Sequence, residues 1–338
     1  MADVVTSHLD ETVRGAPANP AILSLPGVDQ VRALRDGLVT QPPNARLTGR
    51  RLVEVSEGSV TFTMPISEWL MGPKGTLHPG VLTLLGDSSM TGAVVSALGP
   101  GRLFVTAELS MTFLADMPSP GGELVSTATV VHVDERHGLA TGEVRGPTGE
   151  LLGFGTSRVF MQPPFDPSVF GALAPPPPEP DWSTPDPWQR PLDWLAPGEP
   201  VPSGPGALVE TANGLRGAPP IDRLLGIRLV EASREGVVFA MRAGGWLANE
   251  FGNVSGGTIA LLAKSATAAA GQAAARSGHV FRALDVKVNF LRPVPPDDTD
   301  VTAHGRIFNR GRIMVASAEV HHKGRLVAAA TGSTMLGS

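Results

Sequence analysis

One carboxylate stands inside a long apolar stretch of this sequence. Between Val81 and Leu98 the only charged residue is Asp87, and between Thr258 and Ala275 it is Lys264. Both stretches have helical length, and their apolar residues are not confined to one stripe, which predicts helices buried on most sides. An ionised group in such a place costs several kcal/mol unless something compensates it. Asp87 falls about two turns inside its segment, too deep to serve as a cap. Its chemistry is then either that of a buried ion pair or that of a general base or nucleophile facing a cleft. Lys264 calls for a carboxylate or a polar cavity, and a repurposed second pocket, an effector site or a filled groove all fit it. Glycines open both segments. A helix N-terminus presents unpaired N–H groups and the positive end of the helix dipole, which can stabilise a developing oxyanion.

The elements that carry these residues occur twice. Leu52-Val53-Glu54 recurs as Leu229-Val230-Glu231, and Val60, Phe62 and Met64 recur as Val237, Phe239 and Met241. Trp69 matches Trp246, Gly75 matches Gly252, Gly80 matches Gly257, and Phe113-Leu114 matches Phe290-Leu291. Every pair is 177 positions apart (229 − 52, 291 − 114), which identifies a tandem duplication. Each copy reads as an early strand, a Gly-rich turn, the long helix (Val81–Leu98; Thr258–Arg276) and then alternating runs. Those runs are Phe104–Leu114, Gly122–Asp134, Leu139–Arg145 and Leu151–Phe160 in the first copy, and Arg282–Leu291, Thr299–Ile307, Ile313–His321 and Leu326–Met335 in the second. The predicted organisation is an N-terminal extension over 1–49 with a short helix at Val28–Leu38, a first domain over 50–162, a connector over 163–219, and a second domain over 220–338. The connector holds fifteen prolines between Pro163 and Pro205 together with Trp182, Trp188 and Trp194. Proline favours an extended path, and that much aromatic surface predicts that part of it packs along the domains.

Composition narrows the function classes. The 338 residues are 42% hydrophobic and 17% charged, enough for a real core. A net charge of −5 argues against a chain-wide grip on nucleic acid, and the absence of cysteine excludes disulfides, thiolate metal sites and a cysteine nucleophile. No segment reads as a membrane span or a secretory signal, so a cytoplasmic protein without a nucleic-acid partner is expected. His132, His137 and the pair His321-His322 show no metal-ligand spacing, the latter pair reading as a solvent-facing hairpin. No metal or cofactor is expected.

A long helix held by a strongly curved antiparallel sheet, twice over, resembles the hotdog arrangement. Gly75-Thr76-Leu77-His78-Pro79-Gly80-Val81-Leu82-Thr83-Leu84-Leu85-Gly86-Asp87 is similar to the G-x-x-H-G-G-x-x-x-x-L-x-D signature of PaaI-type acyl-CoA thioesterases, and Asn289-Phe290-Leu291-Arg292-Pro293 resembles the N-Y/F-L-R-P strand end of the same family. The resemblance implies an α+β fold of two tandem hotdog domains paired as a pseudo-dimer, with the site across their interface. It implies that the residue after the motif His supplies an oxyanion N–H, that an upstream Asn or Gln polarises the same carbonyl, and that the acid comes from the other unit. The copies depart from this pattern in opposite ways. Copy one has Asp87, but Pro79, which has no N–H, and Gly72 stand at the oxyanion positions. Copy two has Gly256 and Asn249, but Lys264 stands at the acid position. Thr106 and Thr91 have the inert counterparts Ala283 and Ala268. One composite site therefore combines Asp87, Thr106 and Thr91 with Asn249 and Gly256, while the opposite junction lacks this chemistry. Gly257 and Ser255 belong to the substrate-binding helix entrance, where Ser255 reads as a cap and not a nucleophile. Arg292, with Arg310 and Arg312, is placed to meet CoA phosphates. The expected function is hydrolysis of acyl-CoA by a double hotdog, as a monomer or its homodimer. The alternative is an inactive acyl-CoA or lipid-binding module, and a hydratase ranks third because Asp87 is not followed by a nearby His.

Overall fold

The structure, a computed structural model, describes residues 7–194, 204–275 and 280–337; the connector between 195 and 203 and the helix end expected at Arg276 lie outside them. The N-terminal extension carries α1 (Gly27–Arg35) and α2 (Pro43–Thr48). The first copy follows with β1 (Arg51–Ser56), β2 (Ser59–Pro65), the long α3 (Val81–Ser96), β3 (Phe104–Phe113), β4 (Glu123–Val133), β5 (His137–Arg145) and β6 (Leu151–Met161). After the connector come α4 (Gly206–Ala212), α5 (Pro220–Leu225), β7 (Ile227–Ala232), β8 (Gly236–Arg242), α6 (Gly256–Ala274), β9 (Val280–Phe290), β10 (Asp300–Asn309), β11 (Ile313–His322) and β12 (Arg325–Gly337). The expected long helices and alternating runs are all present, with ends shifted by a few residues. The short helices α2, α4 and α5 and the first strands β1 and β7 are additional.

The strands form one antiparallel sheet in the order β1-β2-β4-β5-β6-β3-β9-β12-β11-β10-β8-β7. The two copies meet where β3 pairs with β9, with Leu109 opposite Val288 and Met111 opposite Val286. All four of these side chains are fully buried. Each half wraps its own helix. Thirteen of the sixteen α3 residues and seventeen of the nineteen in α6 are buried, as the unstriped apolar pattern requires. The helices lie antiparallel against each other, so the start of each faces the middle of the other: a Cβ on Gly80 would meet Leu261 Cγ at 2.7 Å, and a Cβ on Gly257 would meet Leu84 Cα at 2.8 Å.

The duplication extends to irregular detail. The register shift between Leu52 and Glu54 recurs between Leu229 and Glu231. Helices α2 and α5 each begin with proline and end on a left-handed glycine, Gly49 at φ 75° and Gly226 at φ 70°. Much of the aromatic connector packs as expected. A Cβ on Gly49 would approach the Trp188 ring to 2.7 Å, Arg14 stacks over Trp182 at 4.8 Å, and Trp69 Nε1 donates to the Arg190 carbonyl at 2.9 Å. Buried Arg14 pairs with Asp186 at 3.0 Å, and Arg190 grips Glu11 with both terminal nitrogens at 2.6 and 2.8 Å. The N-terminal extension and the connector thus bind each other.

Two histidine expectations change. His322 is buried, not solvent-facing, because its Nε2 lies 2.7 Å from Thr299 Oγ1 and 3.1 Å from Asp297 Oδ1 at the base of the β11–β12 hairpin. His132 and His137 do have company, since both touch Asp134 at 3.1 and 2.9 Å in the exposed β4–β5 turn. The main role of Asp134 there is to accept the backbone N–H groups of Arg136 and His137, which hold its carboxyl far below the usual range. Among the described residues, no helix is long and apolar enough to cross a membrane.

Candidate active site

The antiparallel crossing brings Asp87 of α3 to the N-terminus of α6. Its Oδ2 accepts the Gly257 N–H at 2.7 Å, and its Oδ1 is buried without a partner. Glycine is required at 257 and avoids crowding the carboxylate at 256. A Cβ on Gly257 would stand 2.7 Å from the Thr83 carbonyl oxygen, and one on Gly256 would stand 3.1 Å from Asp87 Oδ2. Among the described residues the Gly256 N–H has no partner, so one helix-end donor holds the carboxylate and its neighbour is unclaimed. Burial raises the Asp87 pKa to about 6. The nearby Glu250 charge adds to the rise, whereas the Gly257 N–H, Arg50 and Thr91 oppose it.

The N-terminal extension covers this junction. The Asn44 N–H of α2 donates to the Ala248 carbonyl at 3.0 Å, and Arg50 donates to Asn44 Oδ1 at 3.2 Å and to Ser88 Oγ. Arg50 is itself buried, 5.7 Å above the Phe62 ring. The void left among Asn44, Arg50, Ser255 and Thr258 is about 10 Å³, room for a single water at most.

At the opposite junction the start of α3 faces the middle of α6, and there the structure opens. A cavity of about 650 Å³ lies beside Lys264, within the size range of small-molecule sites. Lys264 Nζ stands 3.3 Å from His78 Nε2. Asp222, in the first turn of α5, is half-buried beside the same cavity and makes no direct ion pair with Lys264. Burial pushes Asp222 up and Lys264 down, each to about 7, while their attraction opposes both shifts. Burial, and then the lysine charge, hold His78 well below its ordinary value. The two junctions thus carry opposite arrangements: Asp87 with Arg50 under a closed cover, and Lys264 with Asp222 beside an open cavity.

The architecture is matched by known proteins. The model of the thioesterase superfamily fits residues 74–152 and 251–329, and the two matches are themselves 177 positions apart (251 − 74, 329 − 152). Both halves of the chain match the thioesterase superfamily, in the arrangement of a tandem double hotdog. Solved structures agree on the fold. A putative thioesterase from Novosphingobium aromaticivorans superposes with a TM-score of 0.53 at 17% identity, covering 85% of this chain and 98% of that one. The TesB protein of Mycobacterium avium subs. paratuberculosis gives 0.51 at 12% identity, with 88% and 98% covered. A hotdog-fold protein of unknown function from Alicyclobacillus acidocaldarius gives 0.50 at 15%, with 85% and 96% covered. No curated protein matches the sequence.

Within this superfamily framework the residues singled out in the sequence have distinct surroundings. Asp87, Gly256 and Gly257 converge. The Thr91 hydroxyl donates to the Asp87 carbonyl one turn back. Asn249 spends its Oδ1 on the turn that leads into α6, accepting from Phe251 at 3.0 Å and Asn253 at 3.1 Å. Thr106 sits on β3 opposite Val159, and no hydrogen bond joins it to Asp87. Ser255 holds the N-cap position, but its hydroxyl makes no capping bond; its carbonyl receives the Thr258 and Ile259 N–H groups instead. Arg292 is exposed and donates to the Leu326 carbonyl at 2.6 Å, an anchor for the strand end. Sequence reasoning missed Arg50 and Asp222. The signal for both was asymmetry, since their counterparts are Ile227 and Ala45.

Proposed function

We propose that the chain hydrolyses acyl-CoA thioesters with Asp87 as base or nucleophile. The observation that carries this reading is the carboxylate held 2.7 Å from the Gly257 N–H at the start of α6. In the proposed reaction the thioester oxygen takes the helix-end N–H groups of Gly256 and Gly257, where developing negative charge is stabilised. Asp87, released from Gly257, either takes a proton from water or attacks the carbonyl carbon itself. Direct attack forms a mixed anhydride and expels the thiolate, and water then cleaves the anhydride. Asn249 and Thr106 complete the site by orienting the carbonyl and the water, and Thr91 steadies the Asp87 turn. Entry requires α2 and Arg50 to move aside, because they cover the carboxylate. Arg292 meets the CoA phosphates at the rim in this reading.

Thiol release from an acyl-CoA panel, short to long chain plus aryl, tests the proposal with wild type beside Asp87→Asn and Asn249→Ala. Turnover lost in Asp87→Asn and reduced in Asn249→Ala supports it. Turnover that survives Asp87→Asn refutes it. Single-turnover hydrolysis in heavy-oxygen water separates the two routes, since only nucleophilic attack puts label into Asp87. A second reading, a non-hydrolytic acyl-CoA or lipid-binding module, is favoured by one observation: the 650 Å³ cavity lies at the junction that lacks Asp87. Binding of CoA esters without turnover would select it.

A further inference from the structure

The cavity at the Lys264 junction has an apolar body and a polar end. Phe113, Leu208, Phe239 and Phe281 line its walls. At its polar end, the Gly80 N–H donates to His78 Nδ1 at 3.2 Å, so the imidazole hydrogen resides on Nε2. That Nε2–H points toward Lys264 Nζ, 3.3 Å away. An unprotonated amine accepts the hydrogen. A protonated one turns the pair into two converging donors, and an anionic oxygen is the acceptor that satisfies both. Ser265 borders the same cavity, and its buried hydroxyl has no partner.

The charge balance of the lining points the same way. Lys74, Arg216, Lys264 and Arg282 face Asp116 and Asp222. Glu210 takes up Arg216 at 3.0 Å, and Asp116 lies 3.6 Å from Arg282. Lys74 is turned onto Phe281, donating to its carbonyl at 2.8 Å with the ammonium 4.7 Å from its ring. Two amines are therefore set against the single carboxyl of Asp222, so this wall carries a positive surplus once Lys264 is protonated.

We propose that this cavity binds a free aliphatic monocarboxylate, with one carboxylate oxygen bridging Lys264 Nζ and His78 Nε2 from the cavity side and its chain along the phenylalanine-lined wall. The site is separate from the Asp87 junction and does not depend on hydrolysis there. It discriminates by head group: an alcohol of the same length lacks the charge that the two donors require, and a CoA ester lacks the free carboxylate.

Calorimetric titration of the full chain with dodecanoate and dodecanol tests the proposal in wild type, Lys264→Met and Asp87→Asn. Wild type is expected to bind one dodecanoate per chain, at least about tenfold tighter than dodecanol, as a charge-assisted hydrogen bond implies. Lys264→Met should lose about 10- to 100-fold for dodecanoate while keeping dodecanol, which shows that the cavity is intact. Asp87→Asn should bind dodecanoate like wild type. No binding by wild type, undiminished acid affinity in Lys264→Met, or loss of acid binding in Asp87→Asn each overturns it. If Lys264→Met loses dodecanol as well, carboxyl-carbon NMR of labelled dodecanoate on wild type decides. A bound carboxyl that stays ionised at a pH where the free acid protonates supports the site, and one that titrates with the free acid refutes it.

Discussion

Asp87→Asn is expected to stabilise the protein while removing its chemistry. The Asp87 carboxyl has a pKa of about 6 when folded, against about 3.9 in an unfolded chain. That value already sets burial and the Glu250 charge against the pull of Gly257, Arg50 and Thr91. Because the folded group holds its proton more tightly, stability falls as pH rises through the window between about 4 and 6, and the full penalty remains above it. Two pKa units at about 1.4 kcal/mol each give a penalty of ~3 kcal/mol at pH 8, shrinking to ~1.5 kcal/mol at pH 5, where the folded carboxyl is mostly protonated. Asparagine keeps an oxygen for the Gly257 N–H and carries no charge. Urea unfolding of wild type and Asp87→Asn at pH 8 and pH 5 measures this directly. The variant should gain up to ~3 kcal/mol at pH 8 and about half of that at pH 5. A variant less stable than wild type at both values, or one whose gain does not depend on pH, would falsify the claim that the carboxylate is held against its own desolvation.

Further outcomes follow from the same contacts. If Asp87 acts in its ionised form, kcat/KM for a thioester should rise as pH passes through about 6. Arg50→Met removes a charge that lowers the Asp87 pKa and should move that rise to higher pH; an unmoved midpoint would show that Arg50 does not act on the carboxylate. Gly257→Ala puts a Cβ 2.7 Å from the Thr83 carbonyl oxygen and 2.8 Å from Leu84 Cα. It should cost about 1–3 kcal/mol by forcing α3 and α6 apart, measurable by denaturant unfolding. Trp188→Ala removes the ring packed on Gly49 and should make the connector a faster target for limited proteolysis, with cleavage near residues 180–190 as the readout.

Much of the fold was legible because its signals are periodic. Alternation located β2 to β6 and β8 to β12, and the unstriped apolar runs located α3 and α6. The 177-residue offset then tied each element to its twin. Helices α2 and α5 escaped because six residues opened by a proline carry too little periodicity. Strands β1 and β7 escaped because the bulge after Leu52 and Leu229 breaks their alternation. The site was legible where it depends on the helix crossing: Asp87 and the glycines of α6 meet because antiparallel helices put a middle beside a start. What each junction encloses was not legible. It depends on how residues before β1 and before β7 pack over the helix ends, and that packing left a void of about 10 Å³ on one side and a cavity of about 650 Å³ on the other. Ser255 shows the same limit on a small scale, since a capping residue type at the capping position makes no capping bond.

The covalent join between the two halves has a consequence for how such a protein can change. In a dimer of identical chains every substitution is made twice, so a lysine at the acid position would erase both carboxylates together. Here the β3–β9 seam joins halves encoded separately, and each junction draws its opposing groups from different stretches of the gene. Asp87 and Lys264 therefore coexist at equivalent positions. A symmetric assembly has no route to that state.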